Sequence, residues 1–220
     1  MTAAARAASV LFVREGSSDD YLLNVIVSVF RGFGIQAAID SFPFNKRRKN
    51  LAKALEDVAA HYPHKTVILV HRDADNAGWN KRIAEIRSAG ASLNEGQQVI
   101  PVIPVKETEA WILHAMHDDR YLECVGVDRR KISEVLPKKS ECSEVNAKDR
   151  LQKIHDKVHS HNTRGRAARR RTPTFESSRQ SWLTQLDDSA YLAGNKSFEE
   201  FTAALAAVFP GAETGAAPKR

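Results

Sequence analysis

Two short runs, residues 9–13 (SVLFV) and 66–70 (TVILV), limit what this chain can fold into more than any other feature. Both are apolar at successive rather than alternate positions, which fits strands covered on both faces and therefore a parallel sheet between helices. The segments between them carry the helical period. Leu22, Leu23, Val25, Ile26, Val27, Val29 and Phe30 form a helix apolar almost all round, with Ser17 or Ser18 as its expected cap and Asp19 and Asp20 in its first turn. Gly32 and Gly34 end it before a second strand near residues 35–39. Leu51, Leu55, Val58, Ala59 and Tyr62 mark a second, amphipathic helix that Pro63 stops. Trp79, Ile83 and Ile86 mark a third, closed by Gly90, and a fourth strand spans residues 99–105.

Strands that alternate with helices imply right-handed crossovers and a core on each side of the sheet. The expected architecture is α/β: a small, doubly wound, Rossmann-like parallel sheet over residues 8–117. A mainly helical extension with a basic loop follows over 118–210, and a tail with the composition of disorder over 211–220. One extension helix is expected from about Asn146 to His159 and another, with a capping-box start at Ser197, running to Pro210. A chain of 220 residues that is 42% hydrophobic can bury a real core, so disorder and collagen-like repeats are excluded. With only Cys124 and Cys142 it is not a disulfide scaffold. The absence of a secretory leader ahead of the first strand points to a reducing cytoplasm, and no apolar run is long enough for a bilayer.

The acids fall in a pattern. In open parallel sheets ligands bind beyond the carboxyl ends of the strands. Glu15 follows the first apolar run, Asp73 and Asp75 follow the third strand, and Glu107 and Glu109 follow the fourth. Carboxylates that crowd one another are costly unless a cation sits among them, and magnesium (or manganese) favours hard oxygen donors. Alternation along an extended strand end would put Asp73 and Asp75 on one side.

Glu15-Gly16 with Asp19 and Asp20 after one buried strand, and Asp73-Ala74-Asp75-Asn76-Ala77-Gly78 after another, resemble the TOPRIM domain of topoisomerases, bacterial primases and OLD-type nucleases. The later segment KETEAWIL, residues 106–113, resembles small TOPRIM-like proteins found beside ATPases and implicated in mobile-element conflict. The resemblance covers roughly residues 8–117. It implies a divalent-metal site on nucleic-acid phosphates, with the Glu15 position as general acid/base or ligand and the Asp73 and Asp75 positions as ligands. Topoisomerases place a further acid close after the DxD, where this chain has Asn76 and Ala77, so that role would pass to Glu107 or Glu109, with Glu109 favoured by the resemblance. Neither a topoisomerase tyrosine setting nor a primase zinc motif is evident, which leaves a magnesium-dependent nuclease, with a partner ATPase in an antiviral or mobile-element system as an extension.

The charge balance agrees with a polyanionic partner. Net charge is +6, and residues 164–173 (RGRAARRRTP) hold five arginines with no acid. Arg164, Arg166, Arg169, Arg170 and Arg171 are candidate phosphate contacts, and Lys46, Arg47 and Arg48 are a second set. Alternatives are a non-catalytic nucleic-acid-binding or ATPase-partner module, and a nucleotide-sugar transferase using DAD for its metal. The cluster of His155, Asp156, His159 and His161 reads as a charged helix face rather than a zinc site, and Trp79 and Trp111 read as core.

Overall fold

The computed structural model describes residues 6–44, 50–74, 77–105, 107–160 and 172–210. In chain order the elements are β1 (Arg6–Arg14), α1 (Leu23–Gly32), β2 (Ile35–Pro43), α2 (Leu51–His61), β3 (Val67–His71), α3 (Trp79–Ala89), β4 (Gln98–Val102), α4 (Glu109–Ala115), α5 (Asp119–Cys124), α6 (Arg129–Ile132), α7 (Ala147–His159), α8 (Phe175–Thr184) and α9 (Lys196–Val208). The four strands form one all-parallel sheet in the order β2-β1-β3-β4. The doubly wound α/β fold expected from the sequence is therefore present, with the reversal of strand order between β1 and β3.

Successive residues of each strand serve opposite cores. Val10, Phe12, Leu69 and Val102 face α1, α4 and the later helices, while Leu11, Val13, Ile68 and Val70 face α2 and α3. The first core also contains Trp111, Leu151, Trp182 and Phe201, so the helices after residue 117 cover the same sheet face as α1. Trp111 is fully buried, and its indole Nε1 donates to Ser197 Oγ at 2.9 Å, which satisfies the one polar atom of that side chain.

Local chemistry explains where several elements begin. The caps of α2, α7, α8 and α9 are Asn50, Asn146, Thr174 and Asn195, each accepting from a backbone N–H in the first turn. Ser197 does not start α9, because Asn195 takes that position and the Ser197 hydroxyl is engaged by Trp111 and Asn195. Neither Ser17 nor Ser18 caps α1. A short 3-10 turn, Ser17–Leu22, precedes it, and the carboxylate of Asp19 folds back to accept from Gly16 N at 2.7 Å. Gly90 ends α3 in ordinary right-handed geometry, φ −62°. Its requirement is space, since a Cβ there would lie 2.5 Å from Val99 Cγ1. No helix among the described residues is long and apolar enough to cross a membrane.

Candidate active site at the carboxyl edge of the sheet

The register carries the acids together. Val13 pairs with Val70 and His71 with Val102, so Glu15 and Arg72 leave the sheet side by side just beyond the β1/β3 reversal. Past β3 the ladder continues, with Arg72 N donating to Val102 O and Ala74 N to Pro104 O, both at 3.3 Å. That pairing holds Asp73 beside the segment leading to Glu107, Thr108 and Glu109.

Alternation then sorts these side chains by face. His71 points into the α1 side, where its ring lies 6.3 Å from that of Phe12 and is 1% exposed. Its Nδ1 is 3.1 Å from Asp19 Oδ2, and its Nε2 is 3.7 Å from Asp73 Oδ1. Thr108 Oγ1 donates to Asp73 Oδ1 at 3.3 Å and lies 3.4 Å from His71 Nε2. A buried imidazole thus joins the carboxylate of the β1 loop to that of the β3 end. Burial alone would lower the pKa of His71, but the bond and charge of Asp19, with the charges of Asp73 and Glu15, outweigh it and raise the pKa above its ordinary value. Asp19 shows the mirror balance. Burial would raise its pKa, and His71 together with the Gly16 and Glu15 backbone brings it below the usual carboxylate range.

Arg72 points the other way. Its guanidinium lies over the Phe44 ring at 5.4 Å, meets Glu85 of α3 at 2.8 Å and stands 3.5 Å from Glu15 Oε2. Arg82 joins the same group, donating to Glu85 and to the Asp73 carbonyl. Glu109 lies elsewhere on the edge. It is 5% exposed, and Arg179 of α8 reaches it with Nε at 2.5 Å. Burial would lower the pKa of Arg179, yet Glu109, Glu176 and Asp19 raise it, so the guanidinium stays charged.

The structure thus brings Glu15 and Asp73 to adjacent strand ends and gives Glu109 a cation of its own. Asp75, Lys46, Arg47, Arg48, Arg164, Arg166, Arg169, Arg170 and Arg171, all singled out from the sequence, lie outside the described residues, as does His161. His155 is buried, with its Nε2 3.1 Å from the Pro173 carbonyl. Among the described residues, no group of three or more His, Cys, Asp or Glu side chains is close enough to hold a metal ion. The donor chemistry that is present suits a different mode. Magnesium keeps several waters and commonly takes one or two protein carboxylates plus phosphate oxygens. Asp73 and Glu15, with side chains 30% and 24% exposed, are accessible carboxylates of that kind.

Asp19, which the sequence offers only as a first-turn acid beside the Glu15 motif, completes the site with His71, Arg72, Thr108 and Arg179, to which the sequence pattern gives no role. The tripeptide His71-Arg72-Asp73 at a strand end was the available signal for two of them, because alternation alone sends the His and the Arg to opposite faces. Arg179 is 70 residues from its partner, and nothing local announces it. Set against protein-family models, curated proteins and solved structures, the chain matches none.

Proposed function

We propose that this chain is a magnesium-dependent, TOPRIM-like nuclease that hydrolyses phosphodiester bonds of DNA or RNA at the β1/β3 edge. The observation that supports this reading most is the strand order β2-β1-β3-β4, which places Glu15 and Asp73 at neighbouring strand ends on the ligand-binding edge of the sheet.

Asp73 and Glu15 are the residues that would hold the ion, with Asp75 next in sequence. When bound, the metal supplies Lewis acidity and a water of lowered pKa. The chain's own groups do the rest. Thr108 donates to Asp73 Oδ1 and fixes its orientation. His71, held by Asp19, lies behind Asp73 on the buried side of the edge, with its Nε2 3.7 Å from Asp73 Oδ1. Glu15, 3.5 Å from Arg72, would accept a proton at the β1 end where it is not itself a direct ligand of the ion. Arg72 and Arg179 are cations of the same sheet edge, each paired with carboxylates: Arg72 with Glu15 and Glu85, Arg179 with Glu109 and Glu176.

A second reading, a nucleic-acid-binding module without turnover, draws on those same cations, since Arg72 and Arg179 already compensate Glu15 and Glu109. The experiment that decides between them is cleavage of labelled single- and double-stranded oligonucleotides in magnesium or manganese. Asp73→Ala should lower the rate by at least about 100-fold, more than the loss of a residue that only supports a ligand. Its melting temperature should change little, because the carboxylate lies outside both apolar cores. Metal-dependent cleavage at the full rate in Asp73→Ala would remove this site from the chemistry. Binding without cleavage in the wild type would favour the second reading.

A further inference from the structure

At the start of α3, the helix that follows the β3 end, lies a cavity of about 570 Å³ that the chemistry above does not use. Its walls are the first turn of α3 with Gly78, Trp79 and Lys81, the residue Val105 after β4, and the start of α9 with Lys196 and Glu200. We infer that this cavity is a subsite for one nucleotide of a single-stranded nucleic acid, with the base against Trp79 and its phosphate met by Lys81 and Lys196. The inference rests on the nuclease reading for its substrate class and adds strandedness and a second point of attachment.

Four observations carry it. The cavity volume lies in the range of small-ligand sites and accommodates a single nucleotide unit. Trp79 is half-buried, so its body is anchored while part of it remains open to the cavity, unlike Trp111 and Trp182, which are buried in the core. Lys81 and Lys196 are exposed, and neither is in an ion pair among the described residues. Finally, the cavity is fixed relative to Asp73. Gly78 N donates to Ala74 O at 3.1 Å, Arg82 Nε donates to Asp73 O at 3.2 Å, and Ser197 is held by Trp111. Gly78 can serve this turn because its φ is +82°, a region other residues rarely enter.

A base inside a duplex is stacked on both sides and cannot present its face to a tryptophan in a pocket, whereas a single strand can. Among the described residues of the lining, Glu200 is the one acid. It opposes the phosphate and separates the effect of charge from that of shape.

The test is binding of an octathymidylate in EDTA, read by anisotropy of a labelled strand and by tryptophan emission with an unlabelled one. The wild type should show quenching that is lost in Trp79→Phe, a substitution that keeps an aromatic face. The double variant Lys81→Ala, Lys196→Ala should bind about 10-fold more weakly, with the slope of log affinity against log salt smaller by about 0.7 for each lysine. Glu200→Gln should bind more tightly. An unquenched wild type, an unchanged affinity in the lysine double variant, or equal binding of the corresponding duplex would each overturn the inference. The two readings fail separately. Failure of the nuclease reading leaves metal-free binding intact, whereas metal-dependent cleavage at an unaltered KM in the lysine variant rejects the subsite and keeps the nuclease.

Discussion

Two ion-paired centres stand on the same edge of the sheet and are built on different logic. At the β1/β3 reversal, Asp19, His71 and Asp73 are brought together by adjacent strands, and the cation is an imidazole that can lose its proton. At the β4 end, Glu109 is met by a guanidinium from α8, part of the helical region, and that charge is permanent over any ordinary pH. The contrast teaches that the first centre depends on the geometry of the sheet and on pH, whereas the second depends on the docking of α8.

The largest effect is expected where a buried imidazole loses the nearer of its two acidic partners. Below about pH 6, where the imidazole holds its proton, Asp19→Ala leaves His71 with only Asp73 at 3.7 Å and Thr108 at 3.4 Å beside it among the described residues, and breaking a buried pair in this way costs about 3–5 kcal/mol. Urea denaturation should show a lowered midpoint. A midpoint unchanged from the wild type would mean that the contact contributes no stability.

Arg179→Ala should cost somewhat less, about 2–3 kcal/mol, because what is lost is one charge-assisted hydrogen bond to Glu109. Its signature is local, since α8 packs against the turn that carries Asp19 as well as against α4 and α7. Hydrogen exchange should therefore quicken first in Phe175–Thr184 while β1 and β3 stay protected. Uniform acceleration across the sheet would show that α8 is not a separable clamp.

The smallest effect separates the centres by pH. His71 has a folded-state pKa above 6.5, so its contribution is complete below about pH 6.5 and fades as pH rises through the folded value. Asp19 has a folded-state pKa below 3.8, so its contribution holds above that value and is lost as pH falls through the depressed one. The stability gap between wild type and His71→Gln should narrow as pH rises above about 6.5 and through the raised folded-state pKa, while the gap for Arg179→Ala stays flat over the same range. Parallel behaviour of the two gaps would erase the distinction.

This contrast also measures what the sequence could disclose. The period of apolar residues in SVLFV and TVILV was enough to imply a buried parallel sheet, and the position of Glu15 and Asp73 after those runs was enough to place both on one edge. Asp19 looked like an ordinary first-turn acid because its role depends on a histidine 52 residues away, brought near only by the β1/β3 pairing. Gly90 looked like a helix terminator because local pattern does not contain Val99, whose side chain occupies the space a Cβ would need. Arg179 was invisible for the same reason on a longer scale. Contacts set by strand order and helix docking leave no local trace, whereas burial period and turn residues do.

The central claim is that the β1/β3 edge is a divalent-metal site built on Asp73 and Glu15. A crystal of the full chain soaked in manganese tests it most directly, through the anomalous signal of the ion. The account predicts a peak bonded to Asp73, with Glu15 as a direct ligand or joined through water, which disappears in Asp73→Ala. A peak at some other set of carboxylates, or none at Asp73 at a manganese concentration that supports cleavage, would contradict it.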